Sequence, residues 1–187
     1  MSLFCIIGNI GSGKSTASNI FKKYNYEEIT FAGPVKEIGL VLGFEYDELY
    51  GSQKDKLKIN EFWGVSGREF MQKFATDIMR NELDKHLNMS MNGYTIWVRL
   101  CEKKILNLVK ENKKIIVSDG RFPDEINMIK KLGGKIIKIN RNISDNDIHA
   151  HSSENYIKNI IPDIIINNNE TVVELENNIK KIISSEK

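Results

Sequence analysis

The sequence predicts an α/β domain in which a parallel β-sheet is covered by helices on both sides. Short apolar runs alternate along the chain with segments whose apolar residues recur at helical spacing. This alternation is typical of right-handed β-α-β crossovers, which bury both faces of a parallel sheet. The length of 187 residues suits one domain, residues 1–187, which carries a sizeable insertion.

Five short and largely apolar segments are predicted as strands. In chain order they are Leu3–Ile7, Glu27–Phe31, Lys113–Ser118, Lys135–Asn140 and Asp163–Asn167. Charged residues interrupt the second segment, so its strand pattern is weaker than that of the first, which Gly8 bounds.

Helices are predicted between these strands from apolar periodicity, with prolines, glycines and a capping box marking their ends. The predicted helices cover Lys14–Tyr24, Val35–Leu42, Gly67–Leu83, Trp97–Lys110, a segment that Pro123 opens and Gly133 closes, and a final segment after Thr171. The stretch Glu45–Gly64 is polar, rich in lysine and without a period, so it is predicted to be a mobile surface insertion.

Composition and charge exclude several classes of protein. With 27 basic and 25 acidic residues the net charge is only +2, so no basic footprint for nucleic acid is visible. No apolar run approaches the roughly 20 residues of a membrane helix, and no signal peptide opens the chain. Cys5 and Cys101 form no CxxC pair, which suits a reducing cytosol. We therefore expect a cytoplasmic protein that binds neither nucleic acid nor membranes.

The strongest motif is a phosphate-binding loop. Residues 8–15 are GNIGSGKS, a complete GxxxxGKS that directly follows a predicted strand and precedes a predicted helix. Its glycines let main-chain N–H groups point at phosphate oxygens, and the helix N-terminus adds positive potential. Lys14 is expected to reach the β- and γ-phosphates of ATP, and the Ser15 hydroxyl to help hold Mg²⁺. The predicted ATP-binding residues are Gly11, Ser12, Gly13, Lys14, Ser15 and Thr16.

A phosphate-binding loop alone does not choose between kinases, GTPase switches and motor ATPases. The NKxD-type sequence for guanine recognition is absent, and 187 residues leave no room for the further domains of a motor. A small chain with an insertion and a polar late loop suits a kinase that acts on a small phosphorylated molecule.

A second cluster follows the predicted strand Lys113–Ser118. Ligands of doubly wound sheets bind at the carboxyl ends of the strands, which places Asp119 and Arg121 at the ligand edge. We expect Asp119 to hold Mg²⁺, directly or through water, and Arg121 to face the phosphates. The alternative is that Asp119 and Asp124 cap the helix that Pro123 opens.

The few arginines are candidates for phosphate binding. Five of the 27 basic residues are Arg, and an Arg that persists in a lysine-rich chain more often needs the planar fork that suits phosphate oxygens. On the predicted helix Gly67–Leu83, the residues Arg68, Gln72, Thr76 and Arg80 form one ridge beside the apolar face. Arg68 is placed to clamp a phosphate and Gln72 to read a base edge, unless the ridge is an ordinary solvated face.

Lys36, Trp97 and Arg99 are further candidates. Lys36 lies in the first turn of its helix, where a cation is disfavoured unless an anionic ligand compensates. Trp97 is placed either to stack on a nucleobase or to pack in the core, the commoner outcome for a tryptophan. Arg99 accompanies it in the segment IWVRL.

The polar segment Arg141–Tyr156 is predicted to be a lid-like loop. Arg141 follows a strand and can swing onto a transferring phosphoryl group when such a lid closes. His149 and His151 have a spacing seen in metal sites, but no cysteine or further histidine supports one. We therefore favour surface histidines or a role in closing the lid.

These motifs together resemble those of the deoxynucleoside monophosphate kinases of bacteriophages and large DNA viruses. Beyond the generic phosphate-binding loop, the segments that match in order and spacing are FAGPVK, SGREFMQKFATDIMR, IWVRL, SDGRFPDE, KLGGKIIKINR, HSSE and PDIIINNNET. They extend from Leu3 to about Ile183, and GREFMQ, SDGRFP and HSSE carry the specificity.

The resemblance implies a three-layer P-loop kinase fold, with residues 31–100 as a monophosphate-binding helical insertion and residues 141–156 as a short lid. It implies transfer of the γ-phosphate of ATP to a deoxynucleoside 5′-monophosphate, with Mg²⁺ as cofactor, in the host cytoplasm and often in a homodimer. The catalytic residues are then Lys14, Arg121 and Arg141. The predicted substrate-binding residues are Lys36, Arg68, Gln72, Trp97, Arg99, Arg121, Glu125 and Glu154, and the predicted metal ligands are Ser15 and Asp119.

Two other functions are compatible with the residues. A phosphomevalonate kinase, or another small-molecule P-loop kinase, shares the architecture and the phosphate-on-phosphate chemistry. A P-loop module without kinase activity, whose nucleotide binding controls a partner or nucleic acid, is the second alternative. The near-neutral charge counts against the second.

Overall fold

The structure is a computed structural model that describes residues 2–87, 89–142 and 154–185. The chain divides into two compact units. The first unit comprises Met1–Thr30 and Cys101–Lys187, and the second comprises Phe31–Leu100. The β-sheet belongs to the first unit, and short helices make up most of the second.

The first unit is built on one parallel sheet, which has five strands within the described residues. They are β1 (Leu3–Ile7), β2 (Tyr26–Ile29), β3 (Lys114–Val117), β4 (Lys135–Asn140) and β5 (Ile164–Asn167). Their spatial order is β2-β3-β1-β4-β5, and every neighbouring pair is parallel. β1 is therefore the central strand, and all of its residues are buried. The predicted parallel sheet is confirmed, with strand ends shifted by no more than two residues.

Helices cover both faces of this sheet. They are α1 (Lys14–Lys23), α7 (Ile96–Lys110), α8 (Pro123–Lys131), α9 (Glu154–Lys158) and α10 (Val172–Ser184), of which α7 begins in the second unit. Successive side chains of a strand point to opposite faces. Phe4 and Ile6 of β1 accordingly join the core formed with α1 and α10, while Leu3 lies on the side of α8.

The second unit is a set of short helices. They are α2 (Gly33–Val41), α3 (Tyr46–Tyr50), α4 (Gln53–Leu57), α5 (Gly67–Gln72), a π-helix (Lys73–Arg80) and α6 (Leu83–His86). No helix within the described ranges is both long and apolar enough to cross a membrane.

The stretch Glu45–Gly64, in which the sequence shows no period, is partly helical, because capping boxes start the helices α3 and α4 there. The Glu48 carboxylate accepts hydrogen bonds from the main-chain N–H of Glu45 at 2.8 Å and from the side-chain amide of Asn60 at 2.9 Å. Leu49 beside it is fully buried. Helices of five residues are too short to show an apolar period, so periodicity could not reveal them.

The predicted helix Gly67–Leu83 changes type along its length. After α5 the hydrogen bonds widen to the π pattern, in which the N–H of Asn81 donates to the carbonyl of Thr76 at 3.1 Å. The predicted helix is therefore present, but its second half is a π-helix. The predicted ridge of Arg68, Gln72, Thr76 and Arg80 stays a prediction.

Candidate active site

The GxxxxGKS loop connects β1 to α1, and its glycines adopt conformations that other residues avoid. Gly8, Gly11 and Gly13 have φ values of 154°, 79° and 100°. A Cβ on Gly8 would lie 2.6 Å from the carbonyl oxygen of Ile139, and a Cβ on Gly13 would collide with the side-chain amide of Asn168. Both positions therefore require glycine for steric as well as conformational reasons.

The loop and the start of α1 fit a bound polyanion. Gly13 is the N-cap of α1, and within the described residues no side chain caps the first turn and no acidic residue lies in it. The N-terminal N–H groups of the helix can therefore donate to phosphate oxygens. The Lys14 ammonium donates to the carbonyl oxygens of Gly8 and Asn9, both at 2.7 Å, and so lies over the first turn of the loop.

Asn168, which follows β5, supports the loop from outside. Its side-chain amide donates to the carbonyl oxygen of Ser12 at 2.9 Å, and its main-chain N–H donates to the carbonyl of Asn140 at 2.7 Å. The next side chain, Asn169, accepts from the N–H of Asn142 at 2.8 Å. This turn ties the phosphate-binding loop to the chain that leaves β4. Sequence reasoning missed it, although its position directly after a strand was the available signal.

Asp119 and Arg121 follow β3 at the carboxyl edge of the sheet, beside β1. Val117 of β3 pairs with Cys5 of β1. Gly120 packs so closely on β1 that a Cβ would lie 2.5 Å from the Cys5 sulfur. The segment that carries Asp119 and Arg121 therefore runs along the strand from which the phosphate-binding loop emerges, and both side chains are half-buried.

Glu125 has a structural role, which corrects its predicted place among the substrate-binding residues. It is 2% exposed, and its carboxylate accepts hydrogen bonds from the main-chain N–H groups of Arg121 at 2.8 Å and Phe122 at 3.1 Å. These N–H groups precede α8, so the carboxylate caps that helix and fixes the main chain at Arg121. Glu125 therefore supplies a cap for this helix, and the alternative that Asp119 and Asp124 also cap it stays open.

The two cysteines are part of the packing. Burial raises the pKa of Cys5 well above its ordinary value, and the nearby Glu125 and Asp119 carboxylates raise it further. Burial also raises the pKa of Cys101, again helped by Asp119 and Glu125. Both thiols are therefore neutral and poor nucleophiles.

Lys36 and Arg68 are half-buried in the second unit. Lys36 contacts an aromatic ring, and Arg68 contacts a polar side chain. The Lys36 ammonium lies 4.5 Å from the ring centroid of Tyr50, and this cation–π contact helps to offset the unfavourable helix dipole. The Arg68 guanidinium donates to the side-chain oxygen of Gln53. Gln72, one turn after Arg68 on α5, is also half-buried.

Trp97 belongs to the core, which corrects its predicted role in binding substrate. It is 4% exposed, and its indole N–H donates to the carbonyl oxygen of Ala75 at 2.7 Å. A ring so little exposed offers almost no surface to a nucleobase. Arg99, two residues further along α7, is half-buried.

Arg141 is exposed directly after β4. Residues 143–153 of the predicted lid, which include His149 and His151, lie outside the described residues. Glu154 begins α9, but its side chain lies outside what the structure describes. The predicted roles of Arg141 and Glu154 stay predictions.

The oxygen atoms of the Ser15 and Asp119 side chains are suitable ligands for Mg²⁺. Among the described residues, no group of three or more His, Cys, Asp and Glu side chains could hold a metal by itself. Mg²⁺ prefers oxygen ligands and is commonly bound through one or two protein groups, with waters and substrate phosphates completing its shell. The Ser15 hydroxyl and the Asp119 carboxylate suit that sparse set.

Comparison with known proteins shows the family. Residues 44–179 match the deoxynucleotide monophosphate kinase family. A protein of Acanthamoeba polyphaga mimivirus, named as a candidate deoxynucleotide monophosphate kinase, is 33% identical over 186 residues, which cover 93% of this chain and 92% of that protein. The resemblance stated from the sequence is confirmed.

Solved structures show the fold. Dephospho-CoA kinase from Campylobacter jejuni aligns with a TM-score of 0.54 at 20% identity, covering 97% of this chain and 95% of that chain. A sugar kinase from Janibacter aligns with a TM-score of 0.51 at 10% identity, covering 98% and 95%. The parallel sheet, its phosphate-binding loop and the family match lead to one conclusion: the chain belongs to the deoxynucleotide monophosphate kinase family and is a phosphotransferase with a P-loop kinase fold.

Proposed function

We propose that this enzyme transfers the γ-phosphoryl group of ATP, bound with Mg²⁺, to the 5′-phosphate of a deoxynucleoside monophosphate. Membership of the family supports the acceptor. The observation that carries the donor assignment is the glycine-built loop with the Lys14 ammonium lying over it. The product is a deoxynucleoside diphosphate, a precursor for DNA synthesis.

The first unit is proposed to bind the donor. N–H groups of the loop and of the first turn of α1 donate to the β- and γ-phosphate oxygens, and Lys14 exchanges its two carbonyl partners for phosphate oxygens. Mg²⁺, when held by Ser15 and Asp119, supplies positive charge next to the phosphate oxygens. Asn168 holds the loop in its binding conformation through the Ser12 carbonyl.

The second unit is proposed to bind the acceptor, which makes residues 31–100 the monophosphate-binding insertion. Arg68 and Lys36 neutralise the 5′-phosphate, and Gln72 reads the base edge. A phosphate is a stronger partner for a guanidinium than a neutral carboxamide is, so Arg68 can leave Gln53 when substrate binds. Arg99 is the remaining candidate for this site.

Transfer is proposed to need no strong general base, because the acceptor phosphate is already ionised at neutral pH. Catalysis then comes from positioning the two phosphates in line and from neutralising charge. Arg121, whose main chain Glu125 fixes, and Arg141 spread the charge that develops on the transferred group. Closure of residues 141–156 would exclude water, which competes as an acceptor.

We further propose that the enzyme acts in the host cytoplasm, forms a homodimer and does not bind nucleic acid. The viral relative supports the first statement, and the net charge of +2 supports the third. Light scattering after gel filtration measures the oligomeric state, and a monomer over the whole concentration range would contradict the homodimer.

An acceptor panel tests the proposed function. The four deoxynucleoside monophosphates, the matching ribonucleotides and mevalonate 5-phosphate are each supplied with ATP and Mg²⁺, and ADP and the phosphorylated product are quantified. We expect ADP and a deoxynucleoside diphosphate in equal amounts for at least one deoxynucleotide. ATP hydrolysis that no acceptor changes would indicate the module without kinase activity. Turnover with mevalonate 5-phosphate alone would indicate the other kinase.

A further inference from the structure

Glu28 of β2 joins two chain segments that each lead to a proposed metal ligand. Its Oε1 atom accepts a hydrogen bond from the Ser18 hydroxyl of α1 and another from the Ser118 hydroxyl just after β3, both at 2.6 Å. Its Oε2 atom lies 3.0 Å from the Lys22 ammonium. One carboxylate thus holds the helix that follows the phosphate-binding loop and the end of the neighbouring strand.

The two hydroxyls stand in fixed relation to the proposed ligands. Ser18 lies one helical turn after Ser15 on α1, and Ser118 directly precedes Asp119. Ser18 is 1% exposed and Ser118 is 8% exposed, so neither hydroxyl exchanges its partner freely with water. Because a helical turn and a peptide bond are stiff, the position of Glu28 constrains the separation of Ser15 from Asp119.

The charge of Glu28 strengthens this connection. Burial raises the pKa of Glu28, but the hydrogen bonds from Ser118 and Ser18 and the nearby Lys22 ammonium outweigh it, and the pKa is lowered overall. The group is therefore a carboxylate at neutral pH. Hydrogen bonds from hydroxyls to a carboxylate are short, about 2.5–2.7 Å, and roughly twice as strong as those between neutral groups.

The neighbouring Glu27 shows how an ordinary carboxylate behaves on the same strand. Its side chain is 52% exposed and lies 3.7 Å from the Lys113 ammonium, which is 46% exposed. Such a solvated pair contributes little to stability. Glu27 therefore offers a matched control, since it shares the strand, the charge and the side-chain length of Glu28.

We propose that Glu28 is a positioning residue, which sets the separation of Ser15 and Asp119 through Ser18 and Ser118 and thereby raises the Mg²⁺ affinity of the nucleotide site. The proposal rests on the proposed function, because it takes Ser15 and Asp119 as the metal ligands. Glu28 acts through the two serines, so its effect is on metal affinity and not on the binding of the acceptor.

Metal binding without turnover tests this proposal. Mn²⁺ affinity is measured by electron paramagnetic resonance on the ATP-bound protein without acceptor, for the wild type and for Glu28→Ala, Ser118→Ala and Glu27→Ala. We expect Glu28→Ala and Ser118→Ala to weaken Mn²⁺ binding about tenfold, the lower end of what outer partners of metal sites contribute. Glu27→Ala should match the wild type.

Two further measurements separate positioning from a general loss of structure. ATP affinity in the presence of a chelator and the KM for the deoxynucleotide should be unchanged in the Glu28 and Ser118 variants. A folded Ser118→Ala protein decides the matter even if Glu28→Ala does not fold. Mn²⁺ affinities within about twofold of the wild type in these variants would overturn the proposal. Residues that hold metal ligands in place typically change metal affinity by about tenfold or more.

Asp119→Asn distinguishes failure of this inference from failure of the proposed function. If Asp119→Asn weakens Mn²⁺ binding while Glu28→Ala and Ser118→Ala do not, the ligand assignment stands and the positioning role of Glu28 is wrong. If Asp119→Asn also leaves Mn²⁺ affinity unchanged, the ligand assignment is wrong and the inference is overturned with it.

Discussion

The two units of the chain bury their apolar side chains to different degrees. In the first unit, Phe4 and Ile6 of the central strand are 0% exposed. In the second unit Leu49 is equally buried, but Val41 is 87% exposed and Phe62 is 83% exposed. The π-helix Lys73–Arg80, which the structure describes throughout, contains no buried residue. The proposed donor site therefore stands on a densely packed scaffold, and the proposed acceptor residues stand on short helices with a thin core.

This difference matches what each ligand requires. A phosphate-binding loop works through main-chain N–H groups, so its geometry has to persist before the ligand arrives. Long side chains such as those of Arg68 and Lys36 can reach a phosphate even from a segment that opens more easily than the phosphate-binding loop does. Segments with few buried apolar contacts open at low free energy. Substitutions in the first unit should therefore change turnover or global stability, and those in the second should change acceptor binding.

Removing the Lys14 ammonium should have the largest effect. We expect Lys14→Ala to lower kcat on the order of 10⁴-fold, as loss of a cation at a transferring phosphoryl group does, without changing the melting temperature. Lys23→Ala is the control, since Lys23 lies on the same helix with its side chain 64% exposed. A Lys14→Ala enzyme that keeps a tenth of the wild-type kcat would contradict the donor assignment.

Core truncation should separate the two units next. Phe4→Ala is expected to lower the free energy of unfolding by about 3–5 kcal/mol, because it opens a cavity in a core that cannot collapse. Phe70→Ala, which removes a half-buried ring stacked 4.7 Å from Phe44, should lower it by only about 1–2 kcal/mol. Urea unfolding measures both, and equal losses would contradict the contrast between the units.

Replacing the guanidinium of Arg68 should affect acceptor binding alone. We expect Arg68→Lys to raise the KM for the accepted deoxynucleoside monophosphate about tenfold with little change in kcat, because Lys keeps the charge but loses the planar fork. Arg80→Lys is the control, because Arg80 lies at the end of the π-helix and not on α5, and it should leave both constants unchanged. Unchanged Michaelis constants in Arg68→Lys would show that the residue is misplaced in the acceptor site.

The smallest expected effect is the pH dependence of stability at Glu28. Burial raises the pKa of this carboxyl. Its hydrogen bonds and the Lys22 ammonium lower the pKa by more, so the pKa lies below its ordinary 4.5. The ionised group therefore stabilises the fold above that pH, and its contribution is lost as pH falls through the lowered value. We expect the free energy of unfolding of the wild type to exceed that of Glu28→Gln by about 1 kcal/mol at neutral pH. Urea unfolding should show this difference shrinking in acid, and a constant or growing difference would contradict it.

Sequence reasoning succeeded where the signal is local and failed where it depends on neighbours. The second strand was predicted over Glu27–Phe31 and lies at Tyr26–Ile29, where buried Tyr26 and Ile29 stand on either side of Glu27 and Glu28. Trp97 was placed near substrate, yet it is only 4% exposed. Its hydrogen bond to Ala75, 22 residues away, has no sequence signature.

Glu125 and Glu28 show the same limit for charged residues. Both carboxylates stand in segments that looked functional or merely polar. What each does depends on which donors the fold brings to it: main-chain N–H groups at the start of α8 for Glu125, and two serine hydroxyls from different elements for Glu28. A carboxylate has no periodicity of its own, so its partners cannot be inferred from spacing.

The residue pattern alone determined the parallel sheet, the phosphate-binding loop and the family, because hydrophobic alternation, glycine spacing and motif order are written along the chain. Only the tertiary structure decided that Asn168 supports the loop, that Glu28 joins Ser18 to Ser118, and that Lys73–Arg80 is a π-helix. These features depend on contacts between distant residues or on helix type. Short-range propensity carries no information about such contacts, since their free energy arises only after the chain has folded.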